Sequence, residues 1–261
     1  MPVAAVAEAR YAVPAAMGLH RGVVPLNEIE RIRGFVTWAI GGRSAPVEDD
    51  GEANWSVNFG HLFQEKFLGN PSHVLGFMQK SPIPDLCREI LGPDIVYSLD
   101  KTLARDYQPS RRPVPAPMHF DAHLFGPHVP MVTVWIPLND VGRESPGLSI
   151  ATRPNWPRPL WNQLADGIDK RARYHPFSLE RRGYPHEEIY ALAEAEPAGL
   201  FIEPQLDAGD VMIFDHQFIH GTQTGIPEPT RRMSLEIRML PAGAAKRVLG
   251  YASQHMFVKV D

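Results

Sequence analysis

Two histidines and one carboxylate, His119-Phe120-Asp121 and then His220, are the residues of this chain best suited to hold a metal ion. Together they supply three ligands to one face of iron(II) and leave the other face open for a cosubstrate and dioxygen. Arg231-Arg232-Met233-Ser234 follows soon after His220. A guanidinium at that point suits a dicarboxylate cosubstrate such as 2-oxoglutarate, which it meets through two parallel hydrogen bonds.

The triplet alone specifies little, because the chain has 11 histidines and His123, His128 and His216 stand close by. Its context adds weight. His220 closes a turn–strand run, Gly209-Asp210-Val211-Met212-Ile213-Phe214-Asp215-His216-Gln217-Phe218-Ile219-His220, and a basic strand follows. Strand alternation puts His119 and Asp121 on one side with Phe120 facing away. On the basic strand, Arg232, Ser234, Glu236 and Arg238 share one face, and Met233, Leu235, Ile237 and Met239 the other. The apolar face belongs against covering helices, which turns Arg232 and Ser234 inward as cosubstrate ligands. A bulge between Pro229 and Arg231 would exchange Arg231 for Arg232. Thr133 and Trp135 share one side of a central strand and are candidates for the same pocket. Lys101 and Arg105 are candidates for an anionic group, and Phe125, Trp156 and Phe214 for an apolar substrate wall. Loop 122–130 and the insertion 152–197 are candidates for a lid.

The elements that must position these residues divide into two parts. Residues 1–93 read as a mainly helical buttress. Ile29, Ile32, Phe35 and Val36 recur at helical spacing with Asn27 as N-cap. Between 81 and 92, Ser81 caps, Pro82 suits the first turn, and Gly92-Pro93 ends the helix. Residues 44–54 read as an exposed loop. Residues 94–240 read as a core of short strands at 96–99, 103–107, 131–136, 148–151, 200–202, 211–214 and 233–240. A proline-rich loop, 109–117, delivers His119, and the insertion carries helices at 156–170 and 186–196. Residues 241–261 read as a C-terminal tail. Helices first, then short strands, predict a mainly β fold with flanking helices. Its core is a double-stranded β-helix (a cupin-like jelly roll), and residues 1–261 form one domain.

Composition narrows the function classes. The 261 residues include 44% hydrophobic and 21% charged positions, ordinary for a globular protein. A net charge of -4 argues against nucleic acid or an anionic membrane as partner and leaves a small molecule. The 26 prolines and 21 glycines favour short elements joined by tight connections. One cysteine, Cys87, excludes an internal disulfide framework. The N-terminus lacks a basic region before its apolar residues, and 131–138 is too short to cross a bilayer. These features predict a cytoplasmic protein.

The run from Met118 to Ala151 resembles the phytanoyl-CoA dioxygenase family. There a histidine–x–aspartate is followed by a Trp-Ile/Val-Pro-Leu strand and a Pro-Gly-Leu turn. Here stand His119-Phe120-Asp121, Trp135-Ile136-Pro137-Leu138 and Pro146-Gly147-Leu148. Gly209-Asp210, His220-Gly221 and Arg232-Met233-Ser234-Leu235-Glu236-Ile237-Arg238 extend the likeness, which covers about residues 94–240. Thr222 matches a hydroxyl position of that family. The resemblance implies a jelly roll, one iron(II), 2-oxoglutarate and O2 as cosubstrates, and succinate and carbon dioxide as coproducts. Family members that halogenate have a small residue in place of the aspartate. Asp121 therefore points to hydroxylation or a related oxidation of an unactivated C–H bond. The family's Pro-Gly-Ser-His is replaced by Ala151-Thr152-Arg153-Pro154-Asn155-Trp156, so its substrate class does not carry over.

Two rival readings share the fold. A cupin-like zinc or manganese enzyme of non-oxidative type needs the ligands but no arginine for a dicarboxylate. A non-catalytic small-molecule-binding jelly roll would tolerate loss of Asp121.

Overall fold

The computed structural model describes residues 18–41, 56–59, 75–108, 116–125, 129–151, 158–174, 188, 201–248 and 257–260. In chain order its strands are β1 (Gly18–His20), β2 (Ser56–Asn58), β3 (Ile95–Tyr107), β4 (Val132–Pro137), β5 (Leu148–Ala151), β6 (Phe201–Ile202), β7 (Val211–Asp215), β8 (Ile219–Thr222), β9 (Arg232–Pro241) and β10 (Phe257–Lys259). The helices are α1 (Leu26–Gly41), α2 (Phe77–Lys80), α3 (Ile83–Leu91), α4 (Arg158–Tyr174) and α5 (Ala242–Val248).

Two antiparallel sheets carry the fold. The larger runs β1-β7-β4-β9-β3-β10, with β2 also paired to β3, and the smaller runs β6-β5-β8. This is the jelly-roll arrangement that the strand spacing predicts. Alternation separates the faces of the larger sheet. Val132, Val134 and Ile136 of β4 and Met233, Leu235, Ile237 and Met239 of β9 pack outward on Ile29, Ile32 and Val36 of α1 and on Ile83 and Cys87 of α3. Trp135 of β4 and Met212 and Phe214 of β7 turn inward and meet Leu148, Ile150 and Ile202 of the smaller sheet. Removing each such side chain from water contributes about 1.5–3 kcal/mol, so both sheet faces are strongly specified. Cys87 is fully buried here, and burial pushes its thiol up to about 12.

Several expectations need revision. The N-terminal part contributes strands as well as helices: β1 pairs with β7, and β2 with β3. The two strands expected at 96–99 and 103–107 are one, with a register shift between Ser98 and Leu103. There Ser98 donates to Asp100 at 2.5 Å, and Thr102 donates to the Ser98 carbonyl at 2.6 Å. Pro82 occupies the N-cap of α3, with Ser81 Oγ a distant 3.4 Å from the Ile83 amide. Residues 257–259, read as tail, add the strand β10 beside β3. The described helix of the insertion, one part of the expected lid, is also different. Leu164 and Ile168 of α4 are buried against Met118, Phe201 and Ile219, so α4 backs the smaller sheet. Their spacing of four puts them on one helix face, and that apolar stripe holds the helix down. The expected loop 44–54 and nearly all of the expected helix 186–196 lie outside the described residues. No described helix is long and apolar enough to cross a membrane.

The Gly209-Asp210 turn fixes the start of β7. Gly209 has φ +92°, and its carbonyl accepts from the Val24 amide at 2.9 Å. A Cβ at this position would lie 2.4 Å from the Val24 carbonyl oxygen. Gly209→Ala is therefore expected to lower stability by about 1–3 kcal/mol, read as a lower urea midpoint. An unchanged midpoint would show that the turn relaxes freely.

Candidate metal and cosubstrate site

His119 and His220 come together through the backbone. They form an antiparallel bridge, with His119 N–H donating to His220 O at 2.9 Å and the reverse bond at 3.0 Å. Gly221 permits this approach, since a Cβ there would lie 2.8 Å from Met118 Sδ and 2.9 Å from the Ala116 carbonyl oxygen. Asp121 arrives differently from the strand alternation expected of it. It opens a 3-10 turn, Asp121–Leu124, anchored by the Ala122 amide on the His216 carbonyl at 2.9 Å. One ligand atom from each of His119, Asp121 and His220 lies within 4.8 Å of the others, and all three residues are buried.

The surroundings set each ligand's chemistry. His119 Nδ1 lies 2.8 Å from the Pro117 carbonyl and His220 Nδ1 3.0 Å from the Phe218 carbonyl. A carbonyl only accepts, so each Nδ1 carries the proton and Nε2 is left to offer a lone pair to a cation. The ring centroids lie 4.4 Å apart, and Phe214 packs edge-on to His220 at 4.7 Å. Burial alone would raise the pKa of Asp121. Arg238, the two imidazoles and the Thr133 hydroxyl outweigh burial and hold the carboxyl well below its usual range. Two imidazoles and one carboxylate fit iron(II), and among the described residues no other group gathers three such donors.

A cleft of about 350 Å³, open solvent included, adjoins the triad. His119, His220 and Thr222 line it together with Thr133, Trp135, Arg232 and Glu236. Arg232 is buried. Its Nη1 lies 3.2 Å from Thr222 Oγ1 and 3.4 Å from the Gly147 carbonyl, and its Cζ sits 5.5 Å above the Tyr107 ring. Among the described residues no carboxylate lies within 4.0 Å of its guanidinium, and its Nε has no hydrogen-bond partner. Burial pulls its pKa down to about 10, against the pull of Glu236, so it is charged at neutral pH. Ser234 Oγ, on the same inward face of β9, is also buried without a partner. Orphaned buried donors are costly, and a carboxylate in the cavity would satisfy Arg232, which lines it, whereas Ser234 is not among the lining residues. The residues present therefore fit the cosubstrate as well as the metal.

The other sequence candidates divide. Arg231 points away from the cavity and forms two bonds to buried Asp106, at 2.6 and 2.7 Å. Arg105 lines the cavity and donates to Glu236 at 2.6 Å. Lys101 does not line it, and its ammonium lies 3.4 Å from Asp100. Phe125 packs 6.1 Å from Phe257, in a separate apolar cluster with Met131 and Leu240. Phe214 is buried behind His220 in the core between the sheets. His216 holds the Met131 carbonyl at 3.1 Å and is outside the triad. Trp156, with 152–157, lies outside the described residues, as do 109–115 and 126–128. Glu236 and Arg238 carry no expected role from the sequence, although two charges on the inward face of a buried strand are the available signal.

No family model matches the chain. Solved structures share its fold. The non-heme α-ketoglutarate-dependent carbocyclase SnoK from nogalamycin biosynthesis is 16% identical, with 100% of this chain and 97% of that one covered and a TM-score of 0.58. The non-heme α-ketoglutarate-dependent epimerase SnoN is 17% identical, with 92% and 83% covered and a TM-score of 0.56. EvdO2 from Micromonospora carbonacea var. aurantiaca is 15% identical, with 87% and 86% covered and a TM-score of 0.52. These structural neighbours include enzymes that use α-ketoglutarate, which is 2-oxoglutarate.

Proposed function

We propose that this chain is a non-haem iron(II)- and 2-oxoglutarate-dependent oxygenase that hydroxylates an unactivated C–H bond of a small-molecule metabolite. The observation that carries this reading is the buried, carboxylate-free guanidinium of Arg232 in the same cavity as the His119–Asp121–His220 triad. A purely structural or non-oxidative metal site has no use for that cation. SnoN, whose structure was solved with Fe3+, α-ketoglutarate and nogalamycin RO, lends support on fold alone. The Trp135-Ile136-Pro137-Leu138 and Pro146-Gly147-Leu148 signatures favour the phytanoyl-CoA dioxygenase branch.

With iron bound, decarboxylation of the keto acid supplies an oxidant strong enough to break a C–H bond. The chain's own residues do the positioning. His119, His220 and Asp121 hold the cation, with the two imidazoles locked by the Pro117 and Phe218 carbonyls. Arg232, with Ser234 and Thr222, takes the distal carboxylate of 2-oxoglutarate. Trp135 and Leu148 give the cavity apolar walls that limit water. A second outcome has specific support, because the named activities of SnoN and SnoK are epimerisation and carbocycle formation.

The test is substrate-dependent succinate formation across a metabolite library, with products weighed by mass spectrometry. Gain of one oxygen atom is expected. Loss of two hydrogens would favour ring formation, and an unchanged mass with altered chromatography would favour epimerisation. No succinate with iron(II) under any condition would overturn the oxygenase reading.

A further inference from the structure

Arg238 occupies an unusual place for a cation, in direct contact with a residue assigned to hold one. Its side chain is 2% exposed and that of Asp121 1%. Nη2 lies 3.0 Å and Nε 3.3 Å from Asp121 Oδ2, and Thr133 Oγ1 donates to the same oxygen at 2.5 Å. Among the described residues Oδ1 takes a 3.3 Å contact from Nη2 and no shorter hydrogen bond, and it is the oxygen 3.9 Å from His119 Nε2. The far edge of the guanidinium is fixed as well. Nη1 lies 2.9 Å from Glu236 Oε2 and 3.3 Å from the Lys101 carbonyl, while Glu236 Oε1 takes Arg105 at 2.6 Å. Four charges of alternating sign, Arg105, Glu236, Arg238 and Asp121, thus run through the interior to the triad.

Stability alone accounts poorly for such a chain, because buried ion pairs are often replaceable by apolar side chains without loss. Coordination arithmetic gives a better reason. Two imidazoles and one oxygen fill one face of iron(II), whereas a second oxygen from Asp121 would take a position that a chelating keto acid or dioxygen needs. We propose that Arg238 is a positioning residue for the metal centre: held between Glu236 and Asp121, it occupies the Oδ2 edge so that this carboxylate offers the cation one oxygen and a partly neutralised charge. This rests on the metal reading of the triad.

Manganese(II) binding to the metal-free full chain, followed by the loss of free-ion electron paramagnetic resonance signal, tests it without turnover. Arg238→Gln keeps an amide donor to Asp121 and removes the charge. It is expected to tighten the Kd about tenfold or more, since a positive charge this close to the ligand opposes a divalent ion even at an effective dielectric of about 20. Arg238→Lys, which keeps the charge, is expected to stay near the native value. A merely structural role would weaken binding in both variants. An equal or weaker Kd in folded Arg238→Gln would overturn the proposal. If that variant does not fold, Glu236→Gln/Arg238→Gln, which removes one charge of each sign, is compared with Glu236→Gln. The same tightening is expected, and its absence is equally fatal. Absence of manganese binding by the native chain would overturn the metal reading itself.

Discussion

Replacing His119 by alanine is expected to abolish 2-oxoglutarate-dependent succinate formation while leaving the fold in place. Groups that orient a ligand, as the Pro117 carbonyl orients His119, are worth about 10–100-fold, so loss of the ligand itself is expected to cost more than about a hundredfold in turnover. The fold is expected to survive because the His119–His220 bridge is made by backbone groups, which alanine retains. Buried Met118 and Ile219, packed on α4, continue to hold the two segments together. A melting transition within a few degrees of native, alongside lost turnover, is the expected pair of results. Full turnover by this variant would remove the metal assignment, and complete unfolding would show that the imidazole is structural.

Arg232 and Arg231 are expected to separate in opposite ways. Each hydrogen bond to a charged group is worth about 1.5–3 kcal/mol, and about 1.4 kcal/mol is tenfold. Arg232→Ala removes two such bonds and is expected to raise the KM for 2-oxoglutarate on the order of a hundredfold. Arg231→Ala is expected to leave that KM within about twofold, because its guanidinium faces Asp106 outside the cavity. It is expected to lower the melting temperature, since Asp106 is 2% exposed and loses its cation. Steady-state kinetics and thermal melts on both variants check this. Equal effects on KM would mean that the cosubstrate carboxylate lies between the two arginines.

Much of the fold was legible because its signals are periodic. The β-branched run 132–136 and the alternating strand 232–239 each declare an apolar face, and the helix at 26–41 declares an apolar stripe. His220 is marked by the turn and strand before it. Gly209 explains that turn physically, because only glycine reaches its φ of +92° against the Val24 carbonyl without strain.

The rest was hidden for identifiable reasons. β1 and β2 have three residues each, too few for any periodicity to register. β3 was divided because Asp100-Lys101 interrupts its apolar pattern, although Ser98 and Thr102 stitch the backbone across the interruption. Strand alternation puts Asp121 beside His119, yet it reaches the site from a 3-10 turn, a route with no signature in three residues. Charges such as Glu236 and Arg238 carry a surface prior. Their burial follows from partners at Arg105 and Asp121, more than a hundred residues away, which no local pattern reveals.

The most direct test is anaerobic titration of the metal-free chain with iron(II) and 2-oxoglutarate, followed by visible absorption. A weak charge-transfer band that needs both components, saturates near one iron per chain and vanishes in His119→Ala is the expected outcome. A band of undiminished strength in His119→Ala, or none from the native chain with both components present, would contradict the convergence of triad and arginine on one centre.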